Sequence, residues 1–386
     1  MSDASPATIA VHHRLDDRVM HAWQRLAEAA PGGGRPASQP LWYRTVLDTV
    51  PGAEALIVTR GTRGEVGTVI GCRVARVPVP LRVGYRQLLP VRARTLTVMS
   101  GCILGDLGRA DELLDTLSAA AAATRASLIA LPRLPGDHPL ARAAGERPRP
   151  WYRTPEPRQI HHWSDLPRGG YDELLADSKS TRKRVRKYQR RLEREHEVVL
   201  ESYRTPDEVQ RFLEAADPIA RQSYQRALGA DLADQGERAR LRRLAQAGWF
   251  RGYILRVDGE PWTFDYGMRT GWSFAAMATA YLQSRAEHRP GNIALALWLD
   301  ELAAEGVREV DWGAGDAPYK RTLSTRSVDE QPVMVMRNDL AGTALALLAG
   351  PVDLLDRSAR AVVHRLGSTQ RLKTAIRSRL RTPSRN

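Results

Sequence analysis

Cysteine is nearly absent, with only Cys72 and Cys102 in 386 residues. Two thiols cannot build a disulfide framework, and the simple reading is a reducing cytoplasm. Long apolar runs are missing too: no segment reaches the roughly 18 uncharged apolar residues that a membrane span needs. The nearest approach, Leu340 to Leu355, is rich in Ala and Gly and interrupted by Pro351 and Asp353, so it reads as a packed or interfacial helix. Met1 to Val11 lacks the basic start and apolar run of a secretory signal. The nine histidines contain no H-x-x-x-H spacing and C-x-x-C does not occur, which argues against a structural or catalytic zinc site. Acid is the scarcer charge.

The balance is 58 Lys and Arg against 44 Asp and Glu, a formal net charge of +14. Such an excess favours anionic partners: nucleotides, phosphorylated carriers, nucleic acid or an acidic lipid surface. It is concentrated in two places. Nine basic residues lie between Lys179 and Arg194, and seven, with no acid, between Arg365 and Arg385. Within the first stretch Val185, Tyr188 and Leu192 fall at helical spacing, giving a narrow apolar stripe and an otherwise solvated face. That face reads as plain surface, or as a contact for a phosphorylated acceptor or a tRNA backbone. No aromatic platform accompanies it, which counts against single-strand binding, and DNA is not an expected partner.

Strands and helices alternate in both halves. In the first, helices are predicted at Asp16–Ala30 and Ala110–Ala123, and strands at Ala55–Thr59, Thr68–Val77, Leu96–Met99 and Ser127–Leu131. The Pro- and Arg-rich stretch Arg147–Arg158 marks a boundary. Beyond it come a long helix, Tyr171–Glu195, a strand, Val198–Tyr203, and helices at Pro206–Ala216 and Asp231–Gln246. A three-strand meander follows, Phe250–Val257, Trp262–Arg269 and Trp272–Thr279, its first turn supplied by Asp258-Gly259. Asn292–Glu305 is then a helix ended by Gly306, and Arg308–Trp312 a short buried strand.

The informative region is Tyr281 to Lys320. Arg289-Pro290-Gly291-Asn292 leads into a helix whose first N–H groups sit at its positive end, which suits a pyrophosphate. The plain alternative is that Pro290 and Gly291 merely start the helix. Asp311 and Asp316 bracket Gly313-Ala-Gly315 at the end of the buried strand. Glycines admit close backbone approach, and an aspartate at a strand end is placed to act as general base toward a hydroxyl or amine. An Asx-type turn is the alternative. Asp311 is expected to be the inward carboxylate, because a charge inside the apolar run Val310-Asp-Trp312 needs a partner or a task. Lys320 is placed to hold a phosphate or an oxyanion. Trp262, Phe264 and Tyr266 alternate along a strand and read as core.

Residues 171 to 325 resemble the FemABX-like and cellulose-biosynthesis-type branch of the GNAT superfamily of acyltransferases. Three features carry the resemblance, in order: the basic helix Ser180-Thr-Arg182-Lys-Arg184-x-x-Lys187, the Pro290-Gly291 pair, and Asp311, Gly313, Gly315, Asp316, Tyr319 and Lys320 matching D-x-G-x-G-D-x-x-Y-K. It implies an α+β fold of two tandem GNAT-like domains, each a mixed, mostly antiparallel sheet flanked by helices. A degenerate domain would span 1–158, the acyltransferase domain 159–338 and a basic helical tail 339–386.

The resemblance also implies the activity: transfer of an acyl group, acetyl first, from acetyl-CoA or another acyl-CoA co-substrate, with no metal. The acceptor would be a hydroxyl or amine of a carrier-linked or small sugar-containing molecule, in cell-envelope or exopolysaccharide biosynthesis. Donor contacts are expected from Arg289, Pro290, Gly291 and Asn292, and catalysis from Asp311, Asp316 and Lys320. Substrate contacts are expected from Arg182, Arg186, Tyr224, Tyr281, Gly313, Gly315 and Tyr319, with Arg221, Gln222 and Gln225 beside Tyr224. The usual pyrophosphate loop, Q/R-x-x-G-x-G/A, is absent, and Arg289-Pro-Gly291-Asn stands in its place. Two alternatives therefore stay open: an aminoacyl-tRNA donor, and a non-catalytic part of a membrane polysaccharide complex. Neither cysteine lies near the site, so direct attack in a ternary complex is expected. In the tail, Leu372, Ile376 and Leu380 recur every four residues among arginines. This reads as a packed or frayed terminal helix, or as a basic amphipathic one resting on an anionic membrane at its inner face.

Overall fold

The computed structural model describes residues 8–30, 34–62, 65–79, 81–83, 86–88, 90–146, 159–222, 232, 234–337 and 339–365. Tyr224, Gln225, the Arg147–Arg158 boundary and the Gln370–Asn386 tail lie outside the described residues. Contacts gather into two compact units: Met1–Gly33, Ala37–Gln159 and Asp329–Arg371 form one, and Gly34–Pro36, Ile160–Val328 and Leu372–Asn386 the other. Each is a mixed open sheet with helices packed on it.

In the first unit, β1 (Thr8–His12) precedes α1 (Asp17–Ala29), whose start is fixed by Asp16 accepting from the Val19 N–H at 2.8 Å. There follow α2 (Pro40–Thr49), β2 (Glu54–Thr62), β3 (Glu65–Pro78), β4 (Arg82–Val83), β5 (Arg86–Gln87), β6 (Arg92–Gly105), α3 (Ala110–Ala123), β7 (Leu128–Pro135) and α4 (Pro139–Glu146). The strands run β1-β2-β3-β6-β7 and are antiparallel except β6–β7, the pair that α3 connects. Leu113, Leu114 and Leu117 of α3 pack with Leu56, Ile70 and Leu96 of the sheet. A second cluster gathers Trp23 and Tyr43, whose hydroxyl donates to the Cys72 carbonyl at 2.6 Å.

The second unit opens with β8 (Gln159–Asp165). The helix predicted over Tyr171–Glu195 is in fact two, α5 (Gly170–Leu174) and α6 (Lys179–Glu195). The break falls at Ala176-Asp177-Ser178, where the Ser178 N–H closes a turn onto the Leu175 carbonyl at 3.1 Å. Asp and Ser are residues whose side chains compete with helix backbone for hydrogen bonds. Then come β9 (Val198–Tyr203), α7 (Pro206–Gln222), α8 (Gln235–Gln246), β10 (Phe250–Val257), β11 (Glu260–Thr270), β12 (Ser273–Tyr281), α9 (Pro290–Ala304), β13 (Glu309–Ala314) and α10 (Pro318–Leu323). α7 runs past the predicted end at Ala216 and through Pro218, while α8 starts at Gln235, after its cap Asp234.

The strands of this unit run β8-β13-β12-β11-β10-β9, antiparallel except for β12–β13. Asp258 and Gly259 both take positive φ, 51° and 78°, the conformation a tight hairpin turn needs. Strand alternation divides the side chains between two helices. Phe212 of α7 meets Phe250, Phe264 and Tyr266 edge-on. Trp298 and Leu299 of α9 cluster with Tyr253, Phe274, Val310 and Trp312. Trp262, Phe264 and Tyr266 are buried, as core residues should be.

The chain then returns to the first unit through β14 (Arg326–Met336), which pairs antiparallel with β7. Pro332 sits where that register shifts, between Gln331 and Val333. α11 (Leu340–Arg365) follows and continues through Pro351.

Candidate active site

β12 and β13 lie side by side only briefly. Their register runs Ser273 to Glu309, Phe274 to Val310 and Ala275 to Asp311, and stops. Beyond Asp311, β13 bulges and pairs with β8, setting Gly313 opposite His162 and Ala314 opposite His161. β12 meanwhile runs on along β11 to Tyr281. It has a bulge of its own: Tyr266 pairs with Ala278 and Gly267 with Ala276, leaving Met277 as the extra residue. The result is a groove in mid-sheet. A strand with neighbours on both sides and helices over its faces ordinarily buries its side chains. Yet Ala275, Ala276, Met277, Ala278 and Thr279 are all partly exposed.

One end of the groove is the start of α9. Arg289 caps that helix in a left-handed conformation, φ 57° and ψ 41°, unusual for a residue with a side chain. Pro290 has no N–H, and Asn292 and Ile293 donate back to the Arg289 carbonyl at 3.0 and 3.3 Å. Gly291 remains among the first-turn donors that a helix leaves without an internal acceptor. A Cβ at Gly291 would meet the Tyr281 ring at 3.3 Å. The structure therefore brings Arg289, Pro290, Gly291, Asn292 and Tyr281 together here, with fewer outward N–H groups than the sequence implied.

The other end, where the strands part, holds Asp311. Its partner is His161 of β8, whose Nε2 lies 2.6 Å from Asp311 Oδ1. The Gly313 N–H donates to the same oxygen at 2.7 Å. The two side chains are 17% and 20% exposed, open to a substrate yet enclosed enough to strengthen their bond. Val310 and Trp312 belong to the α9 cluster, so alternation puts Glu309 and Asp311 on the opposite face of β13. There the His161 ring stacks on Trp163, 3.9 Å between centroids and 3° from parallel. The guanidinium carbons of Arg35 and Arg326 lie 5.7 and 5.8 Å from the Trp163 ring. Both arginines end on Glu309, Arg35 through bonds of 2.8 and 2.7 Å and Arg326 through a further one. Burial pushes the Glu309 carboxyl up, but Arg35 and Arg326 outweigh it and hold it below the usual range.

The remaining sequence-derived residues have plainer settings. Asp316 is exposed and ion-paired with Arg321. Lys320 Nζ donates to the carbonyls of Ala314 at 3.0 Å and Gly313 at 3.3 Å, so the ammonium buttresses the turn. Tyr319 sets its ring edge-on to Trp312 at 5.9 Å. Gly313 and Gly315 have φ of 68° and 113° with open space where a Cβ would stand, so conformation rather than crowding demands glycine. Arg182 donates to the Asp172 carbonyl at 3.0 Å. Arg186 bridges Asp172 at 3.0 Å and Asp300 at 2.7 Å. Sequence reasoning passed over His161, Trp163, Arg35 and Glu309. The available signal was period-two spacing, His161, Trp163 and Asp165, in a run without the apolar alternation that marks a strand.

Residues 179–321 match the family model of the acetyltransferase (GNAT) domain. No curated protein matches the sequence. Among solved structures the chain is similar to FemX, with 13% identity and a TM-score of 0.59 over 87% of this chain and 100% of that one. It is similar also to a tandem GNAT protein from the clavulanic acid biosynthesis pathway, with 15% identity and a TM-score of 0.52 over 86% and 100%. At such identities the likeness establishes the fold, two tandem GNAT-like domains. Residues 179–321 thus carry the match to an acetyltransferase (GNAT) domain, within a fold of two tandem GNAT-like units.

Proposed function

We propose that the protein moves an acyl group, acetyl in the simplest case, from an acyl-CoA to a hydroxyl or amine of a sugar-containing acceptor of the cell envelope. The observation that carries the reading is the His161–Asp311 pair at the fork of β12 and β13. From Ala275, opposite Asp311, to Tyr281 is about 20 Å of strand. That length suits an extended pantetheine arm, with its diphosphate at the Gly291 N–H and its thioester near Asp311. The alanines of the groove leave room for it. The acceptor oxygen or nitrogen would attack the thioester carbonyl while its proton passes to the His161–Asp311 pair. The C–S bond then breaks, and the departing thiolate takes up a proton. Met277, outside the β11 register, offers a main-chain N–H for the carbonyl oxygen. The envelope acceptor rests on the motif resemblance of residues 171 to 325, and the first unit is read as the degenerate domain of the tandem.

The test is release of free CoA from acetyl-CoA in the presence of candidate acceptors, with donor affinity measured by calorimetry. His161→Ala and Asp311→Asn are each expected to lower kcat by roughly 10²–10⁴ while donor affinity holds. Gly291→Val is expected to weaken donor binding at least about tenfold. Near-wild-type turnover in both dyad variants would sink the assignment. An aminoacyl-tRNA donor is favoured by a different observation, the outward row Lys179, Lys183, Arg184, Lys187, Arg190 and Arg194 on α6. It takes precedence if no CoA thioester binds and charged tRNA supports transfer.

A further inference from the structure

α11 buries one side and leaves the other apolar as well. Leu345, Ala349 and Val352 recur at helical spacing and pack with Leu128, Met334 and Met336 of the first unit. The opposite side of such a helix should be polar. Instead Leu340, Leu347, Leu348, Leu354 and Leu355 are 93%, 73%, 44%, 66% and 57% exposed, with Ala341, Ala344 and Pro351 exposed among them. At helical spacing, Leu340, Ala344, Leu347, Leu348, Pro351, Leu354 and Leu355 fall within an arc of about 120° and run for about 22 Å. The other exposed large apolar side chains among the described residues, such as Leu88 and Val199, are scattered. Scattered ones are ordinary; a continuous stripe marks a contact surface.

Charge says what kind of contact. From Arg357 to Asn386 the sequence holds nine Lys and Arg and no Asp or Glu. An apolar helical face that leads into unrelieved positive charge matches the boundary of an anionic bilayer, leucines among the upper acyl chains and arginines among the headgroups. A second copy would cover the leucines but, carrying the same charge, would offer the basic segment no anionic partner. Nor is crossing in question: among the described residues no helix is long and apolar enough to cross a membrane. We propose that α11 lies in the surface of an anionic membrane, with Leu347, Leu354 and Leu355 as its inserted residues.

The test uses the full chain with vesicles of phosphatidylcholine, alone or mixed with phosphatidylglycerol. The wild type is expected to sediment with the mixed vesicles and to bind the neutral ones at least about tenfold more weakly. The variant Leu347→Ser/Leu354→Ser/Leu355→Ser keeps every charge and is expected to lose at least about tenfold in binding to mixed vesicles. Its melting temperature should match the wild type, since the stripe faces outward; if it does not fold, Leu354→Ser alone is expected to weaken binding in the same direction. The proposal is overturned if the wild type stays in the supernatant, or if the folded variant sediments equally well. It is also overturned if the wild type is a dimer that the substitutions convert to monomer without loss of vesicle binding, for then a second copy covers the stripe.

Discussion

Asp265 sits in β11 beneath α9, enclosed on all sides, and its Oδ2 finds no hydrogen-bond partner. The neighbouring strand places Tyr253 directly opposite, and the Tyr253 hydroxyl is unpartnered too. Burial pushes the Asp265 carboxyl up to about 7, against the pull of the Thr279 and Trp298 side chains. The sign for stability follows. The folded state holds the proton more tightly than the unfolded chain, whose carboxyl titrates near 3.8. Folding is therefore unpenalised below about pH 4, loses stability as pH rises from there toward 7, and carries the full penalty above it, roughly 4 kcal/mol. Asp265→Asn keeps the shape without the charge. Its melting temperature relative to wild type should rise from pH 5 to pH 8; a pH-independent difference would show that Asp265 ionises freely in the folded protein. His161 and Asp311 differ in legibility for a local reason. Asp311 stands out as a carboxylate inside Val310-Asp-Trp312, whereas His161 acquires its meaning only from a partner 150 residues away.

At the scale of elements, the meander β10 to β12, α9 and β13 were legible because each is bounded by its own turn chemistry: Asp258-Gly259, Pro290 and Gly306. β14 was not, since Pro332 lies inside it and is accommodated only by the register shift against β7. The division between α5 and α6 was hidden because the tie that stabilises it is tertiary. Arg186 of α6 reaches Asp172 of α5 and Asp300 of α9, and lies 5.4 Å over the Tyr171 ring. Sequence resemblance pointed the same arginine at a substrate. Arg186→Ala separates the two roles. Loss of the tie should lower stability by about 1–3 kcal/mol in denaturant unfolding and leave KM for the acceptor nearly unchanged. A raised KM at wild-type stability would instead assign Arg186 to the substrate.

At the scale of the whole molecule, the division of the chain is not at one point. Residues Asp329–Arg371 belong with the first unit, where β14 pairs with β7 from Glu330–Pro135 to Met336–Leu128 and α11 packs on the result. Arg35, early in the sequence, belongs with the second, through its two bonds to Glu309. A chain ended at Val328 thus keeps β8 to β13 and Arg35 complete, but strips the first unit of a strand and a helix. In limited proteolysis, the 1–328 fragment should be cut throughout residues 8–146 while residues 160–222 and 234–322 stay protected. The 159–328 fragment should fold by itself, yet melt lower than the same region of the full chain, because Glu309 loses Arg35 and keeps Arg326 and the Ser273 hydroxyl, and a buried carboxylate deprived of one charged partner is costly. Restoring that loss with Glu309→Gln in the short fragment would tie the deficit to the missing arginine. Uniform protection of the 1–328 fragment would mean that β14 and α11 are dispensable to the first unit, contrary to the packing of Met334 and Met336 in its core.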